Sequence, residues 1–265
     1  MSRYHQVFTS LKAAGRIAFI PFAVAGDPDR RLSEAVLKTY VDAGADILEI
    51  GYPFSDPIAD GPVNQRAGQR AIASGLNHAR FFSLVKNVRM YTDVPIGVLL
   101  YANSLHHLGF ETFCRRAADS GIDSLLVADM PPEESRILSA SMRTAGLQRA
   151  HIVSELTPAE RIRTICSDIE AFVYVVSRLG PTGVQNDISS TVAATLATLR
   201  KHTTRPLCVG FGLSRPEHVS SVKALGADGA IVGSALVKLI EHYGNAPNTM
   251  LKKLTKMIRN FKRAT

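Results

Sequence analysis

Four carboxylates crowd the stretch 46-DILEIGYPFSDPIADGP-62: Asp46, Glu49, Asp56 and Asp60. Glu49 closes a short apolar run and shares strand alternation with Ile47, so an inward-facing Ile47 brings Glu49 inward as well. A carboxylate buried there without a partner is costly in its charged form, and burial moves its pKa toward the range of a general acid or base. The same residue tied to backbone donors or to a nearby base is purely structural. Asp60 precedes Gly61, and Asp-Gly is a turn signal, so a local reading leaves Asp60 and Asp56 as loop residues. The chemical alternative is a pair of catalytic acids, Glu49 and Asp60.

Three glycine clusters supply a second kind of chemistry: 180-GPTG-183, 210-GFG-212 and 233-GS-234. Glycine lets backbone N–H groups approach an anion closely, and Ser234 adds a hydroxyl at a helix start. Each cluster alone is an ordinary turn; together they outline a phosphate site. Phe22, Leu99, Tyr101, Tyr174 and Phe211 fall at or near the ends of apolar runs and form either plain core or a flat apolar pocket. An aromatic ligand with a phosphate tail accounts for both the apolar residues and the glycines. Asp129 closes another run, where it orients a neighbour or caps the next helix.

The elements that must position these residues alternate along the chain. Apolar runs at 17–24, 46–50, 95–101, 124–128, 150–154, 172–177, 206–210 and 229–232 read as strands, with segments of helical period between them. Helix starts are marked by Thr157-Pro158 with Glu160, and by Ser214 before Pro216-Glu217. Helix ends are marked by Gly44, Gly121, Gly146 and Gly226. A phrase recurs before three strands, 42-DAGAD-46, 119-DSGID-123 and 225-LGADG-229. Strands apolar on both faces with helices between them imply a parallel sheet covered by helices. Eight such units, without a dinucleotide fingerprint, favour an α/β fold of the (β/α)8 TIM-barrel type over a doubly wound sheet. We expect a single domain over 1–265 with extra helices at both termini. In such a barrel the chemistry sits at the C-terminal ends of the strands, which is where the residues above fall.

Bulk properties narrow the function classes. The chain has 265 residues and a net charge of +8, with 46% hydrophobic residues. Much of the positive excess lies in 252-KKLTKMIRNFKR-263, the pattern of one solvated face of a terminal helix. No nucleic-acid motif accompanies it, so nucleic acid is set aside as a partner. No apolar run reaches the length of a membrane span, and the first residues lack the pattern of a signal peptide. Cys114, Cys166 and Cys208 are widely spaced, with neither metal-ligand spacing nor a disulfide framework, which suits a reducing compartment. A cytoplasmic location is expected.

The stretch 49-EIGYPFSDPIADGP-62 resembles the signature of the tryptophan synthase α subunit family. Segments 65-QRAGQRAIASG-75, 99-LLYAN-103, 126-LVADMPPEES-135, 177-SRLGPTG-183, 210-GFGLSRPEHV-219 and 229-GAIVGSALVKLIE-241 resemble the family in the same order, so the likeness runs from about residue 17 to the end. The resemblance implies a (β/α)8 barrel that cleaves indole-3-glycerol phosphate to indole and glyceraldehyde 3-phosphate without a cofactor. It implies that Glu49 protonates the ring carbon and that Asp60 stabilises positive charge on the ring nitrogen. It places phosphate on Gly183, Gly212, Gly233 and Ser234, and the rest of the substrate against Phe22, Leu99, Tyr101, Asp129, Tyr174, Thr182 and Phe211. It also implies a β-subunit partner in an α2β2 complex, with Pro53, Asp56 and Asn103 near the contact and pyridoxal phosphate held by that partner. Two features depart from the family pattern: Pro181 stands before Thr182-Gly183, and 151-HIVSELTPAER-161 puts His151, Ser154 and Glu155 in what reads as a pocket wall. These departures keep open a chain that cleaves weakly and serves mainly to activate the β subunit.

Overall fold

The computed structural model describes residues 1–176, 185–210 and 212–265, with side chains at all of these but 185–189. Its strands are β1 (Ala18–Val24), β2 (Leu48–Gly51), β3 (Ile96–Leu100), β4 (Ser124–Val127), β5 (Gln148–Arg149), β6 (His151–Val153), β7 (Val173–Val176), β8 (Leu207–Gly210) and β9 (Gly229–Val232). They form one sheet in the order β5-β4-β3-β2-β1-β9-β8-β7-β6, every pairing parallel. The expected fifth strand, 150–154, appears as β6, and β5 is a short piece just before it, beyond the expected bounds and parted from β6 at Ala150. Across that break the Ala150 N–H donates to Leu125 O at 3.1 Å, and the Ala171 N–H donates to Arg149 O at 2.9 Å. The ring therefore closes through the chain itself, and the architecture is the expected (β/α)8 barrel.

The recurrent phrase has a physical purpose. Gly44, Gly121 and Gly226 take φ of 108°, 87° and 88°, a left-handed turn that ends each helix. The aspartate that follows then accepts an N–H at the start of a neighbouring strand. Asp46 accepts from Phe19 at 2.7 Å, Asp123 from Ile96 at 2.8 Å and Asp228 from Leu207 at 2.7 Å. Each is also paired with a cation: Lys262 with Asp46 at 2.6 Å, Arg89 with Asp123 at 2.6 Å, and Arg200 with Asp228. At this rim of the barrel every such carboxylate is hydrogen-bonded and neutralised, which is how a protein tolerates charge near its core.

Helices at both ends of the chain close the molecule. Helix Arg3–Ala13 sends Tyr4, 1% exposed, into the N-terminal mouth of the barrel. The Tyr4 hydroxyl lies 2.7 Å from Ser124 Oγ, and a Cβ at Gly97 would stand only 2.8 Å from it, so Gly97 is the space the tyrosine fills. Helix Pro247–Arg263 buries Met250, Leu254, Ile258 and Phe261, a stripe at helical spacing, and Phe261 stacks on Phe19 at 5.8 Å. Its basic residues other than Lys262 are exposed on the solvated side. Among the described residues no helix is long and apolar enough to cross a membrane.

Candidate active site

The C-terminal mouth of the barrel holds a cavity of about 290 Å³. Phe22, Leu99, Tyr174 and Ile231 give it apolar walls; Glu49 and Asp60 face it on one side, and Gly212, Gly233 and Ser234 on another. Strand alternation accounts for this set. Ile47 packs in the barrel-interior cluster with Ala18, Ile20 and Tyr174, and Glu49 lies two residues further toward the mouth, level with Phe22 of β1.

Glu49 is 4% exposed, and among the described residues its carboxyl receives no hydrogen bond or cation. Burial, with a smaller contribution from the charge of Asp60, pushes its pKa up to about 8. This is the opposite of the treatment given to Asp46, Asp123 and Asp228. Near neutral pH Glu49 is largely a protonated acid, and no described residue accepts its proton.

Asp60 sits in a different environment. Tyr101 donates its hydroxyl to Oδ2 at 2.9 Å, and Asn64 donates its amide N–H to Oδ1 at 3.2 Å. Burial raises the Asp60 pKa above the ordinary carboxylate value, and these two hydrogen bonds offset only part of the rise. The backbone is fixed too: Gln65 donates to Asp60 O at 2.9 Å, the Ala59 N–H donates to the Tyr101 hydroxyl at 3.1 Å, and the Tyr101 ring stacks on Phe54 at 5.2 Å. Two carboxyls thus share one cavity with divergent surroundings, one without a donor or cation among the described residues, the other held by two donors. Unequal environments of this kind are what separates an acid from an anion in sites built on two carboxyls.

The side of the cavity expected to hold an anion is a helix start. Helix Ser234–Tyr243 begins after Gly233, whose carbonyl accepts from Leu236 at 2.8 Å and Val237 at 3.1 Å. The N–H groups of Ser234 and Ala235 precede these first helical bonds, and among the described residues no side chain caps the helix, so the site favours an anion. Gly212 takes φ of 77°, which turns its backbone against the same space. Gly210 has another use: a Cβ there would lie 2.4 Å from the Tyr174 hydroxyl, so its bareness makes room for that ring.

The two ends are joined through the helix layer. Arg70 of helix Pro62–Ala73 holds Asp27, 1% exposed, with two bonds of 2.7 and 2.9 Å, and reaches Glu241 of helix Ser234–Tyr243 at 2.8 Å. Arg66 adds bonds of 2.7 and 2.9 Å to Glu241. The helix that follows Asp60 is thereby tied to the helix that presents Ser234.

Not every expected residue reaches the cavity. Tyr101 is buried behind Asp60, and its hydroxyl is spent there rather than on the cavity wall. Asp129 is exposed and accepts the Ala102 N–H at 2.7 Å, at the start of helix Ala102–His106; it fixes the turn after β3. Pro53 is buried within the chain, whereas Asp56 and Asn103 are exposed. The same loop exposes 83% of Ile58, a large apolar side chain that sequence reading passed over. Thr182, Gly183 and Phe211, along with Pro181, lie outside the described residues.

The pocket-wall reading of 151–155 is corrected. Alternation turns Ala150 and Ile152 to the barrel interior and His151 outward, where its Nε2 lies 3.5 Å from Asp168 Oδ2 under the helix layer. Ser154 is taken up with Thr157, whose Oγ1 accepts the Ser154 N–H at 3.0 Å, and Glu155 is exposed. None of the three lines the cavity. Asn64, conversely, was missed: it lies one helical turn after Asp60, the spacing that lets its side chain reach back.

Comparison with known proteins places this geometry in a family. Residues 8–265 match the family model described as tryptophan synthase alpha chain. A tryptophan synthase alpha chain from Methanoregula boonei is 42% identical, covering 100% of this chain and 98% of that one. The tryptophan synthase subunit alpha of Legionella pneumophila superposes with a TM-score of 0.91 at 31% identity, over 100% of this chain and 98% of that one. A chain from the Pyrococcus furiosus tryptophan synthase α2β2 complex, studied for its mutual activation, superposes with a TM-score of 0.86 at 34% identity, over 92% and 97% of the two chains.

Proposed function

The chain belongs to the tryptophan synthase alpha chain family, and from that premise we propose that its cavity cleaves indole-3-glycerol phosphate with Glu49 as acid and base and Asp60 as the fixed anion. The phosphate rests on the start of helix Ser234–Tyr243, with Gly212 and Gly233 giving the close backbone approach. The ring lies among Phe22, Leu99, Tyr174 and Ile231. Glu49 delivers its proton to the ring carbon that bears the glycerol side chain, and positive charge develops toward the ring nitrogen, where Asp60 meets it. The resulting Glu49 carboxylate takes the proton of the adjacent side-chain hydroxyl. That C–O bond becomes a carbonyl, the carbon–carbon bond breaks, and its electrons return to the ring. Indole and glyceraldehyde 3-phosphate leave, and Glu49 ends protonated as it began. The step draws on no cofactor from this chain.

The observation that carries this reading is the pairing of an unheld, protonated Glu49 with a gripped Asp60 in one cavity. The assembly implied is α2β2 with a β subunit that carries pyridoxal phosphate and receives indole; exposed Asp56, Asn103 and Ile58 are the docking positions on this chain. A cytoplasmic location belongs to the same proposal. The test is to mix the chain with a β subunit and indole-3-glycerol phosphate and to measure indole and tryptophan. Glu49→Gln should abolish cleavage while β binding persists. Undiminished turnover in that variant would remove Glu49 from the mechanism.

A further inference from the structure

Among the described residues three buried side-chain polar atoms have no hydrogen-bond partner: Tyr40 Oη, Ser104 Oγ and Asn64 Oδ1. Only Asn64 lines the cavity that holds Glu49 and Asp60. It sits in the first turn of helix Pro62–Ala73, after Gly61. The Asn64 amide nitrogen donates to Asp60 Oδ1, and the carbonyl oxygen is the atom left over. A buried acceptor without a donor is costly, and such atoms in a native fold call for an explanation.

We propose that Asn64 is a positioning and substrate-reading residue: its amide N–H fixes Asp60, and its carbonyl oxygen accepts a hydrogen bond from an uncharged N–H or O–H of the bound ligand. The inference rests on the substrate class proposed above, whose ring N–H and side-chain hydroxyls are donors of that kind. A ligand in the cavity satisfies the orphaned oxygen, so the contact adds affinity when the site fills. The donor half of the amide acts through Asp60. Its neighbours there are Tyr101, which also donates to Asp60, and Glu49, which shares the cavity and feels the Asp60 charge. Losing the amide N–H leaves the Asp60 anion with one donor fewer and moves its ionisation to higher pH.

The test uses the full chain with Asn64→Leu, which removes donor and acceptor at similar volume, and Asn64→Asp, which keeps an acceptor and loses the donor. Asn64→Ala stands in should the leucine variant fail to fold. Affinities are read in the Glu49→Gln background, which holds substrate uncleaved, for indole-3-glycerol phosphate, indole-3-propanol phosphate and inorganic phosphate. Asn64→Leu is expected to weaken substrate binding by about 10-fold, the worth of one hydrogen bond in a closed site, and to leave inorganic phosphate unchanged. A loss shared by the propanol analogue, which has the ring N–H and no free hydroxyl, assigns the ring N–H as donor; a loss confined to the substrate assigns a hydroxyl. Substrate affinity within twofold of the parent overturns the acceptor role. In chains with Glu49 intact, the acid limb of kcat/KM should move to higher pH in Asn64→Leu and Asn64→Asp, and an unmoved limb overturns the positioning role. Failure of the parent chain to bind or cleave indole-3-glycerol phosphate would instead refute the proposed function, and is read before any Asn64 variant is compared.

Discussion

Replacing Glu49 with glutamine should stabilise the folded chain while it removes activity, and the gain should grow with pH. The carboxyl ionises near 4.5 in an open chain and near 8 in the fold. A group whose folded pKa is raised contributes stability that is complete below the unfolded value and is lost as pH climbs through the folded one. Between 4.5 and 7, each pH unit is worth about 1.36 kcal/mol, so at pH 7 the wild type has given up about 3 kcal/mol to keep Glu49 protonated. At pH 5 the loss is under about 1 kcal/mol, and above pH 8 it levels off near 5 kcal/mol. Glutamine mimics the protonated acid in shape and never ionises, so the variant escapes this loss. Its amide adds a constant offset in the buried site, which is why the pH dependence and not one absolute value carries the test. Urea unfolding of both proteins at pH 5, 7 and 8.5 gives the comparison. A stability difference that stays constant over that range would mean that Glu49 ionises in the fold as freely as in solution, and the acid role built on its burial would fall with it.

Tyr101→Phe keeps the stacked ring and removes the hydroxyl that donates to Asp60. A hydrogen bond to a charged group is worth about 1.5–3 kcal/mol, so kcat should drop by roughly 10- to 100-fold and the acid limb of the rate profile should rise in pH as Asp60 loses a donor. Wild-type kcat with an unmoved limb would show that Asp60 does not depend on Tyr101. Arg70→Ala strands Asp27, 1% exposed, without its paired guanidinium. Breaking a buried pair costs about 3–5 kcal/mol, and thermal melting should fall by more than about 5 °C; an unchanged Tm would mean that Asp27 takes up a proton or another partner at little cost.

The barrel was legible in the sequence because its signals are local and repeated. Most strands are short apolar runs, several helices end at a glycine with a left-handed φ, and the phrases around Gly44, Gly121 and Gly226 recur because the same turn recurs. Glu49 was legible for a related reason: strand alternation with Ile47 fixes which way its side chain points. Asp60 was named by the long motif and not by local physics, since Asp-Gly in a loop reads as a turn wherever it stands.

Tertiary structure decided what each polar group faces. Asp46 and Glu49 lie three residues apart in one acidic stretch, yet Asp46 meets Lys262 from the far end of the chain and Glu49 meets no cation among the described residues. Sequence spacing carries no record of that difference, because the partners come from elements more than two hundred residues away. The same holds for Tyr101, which passes from pocket wall to the residue that grips Asp60, and for Asn64, whose leftover carbonyl is visible only once its amide has been placed. His151 shows the limit from the other side. Its place beside the pocket in sequence was real, but one residue of strand register turned it to the opposite face of the sheet. Local pattern determined the elements and their order; the long-range contacts determined which of their acids are neutralised and which are left free to react.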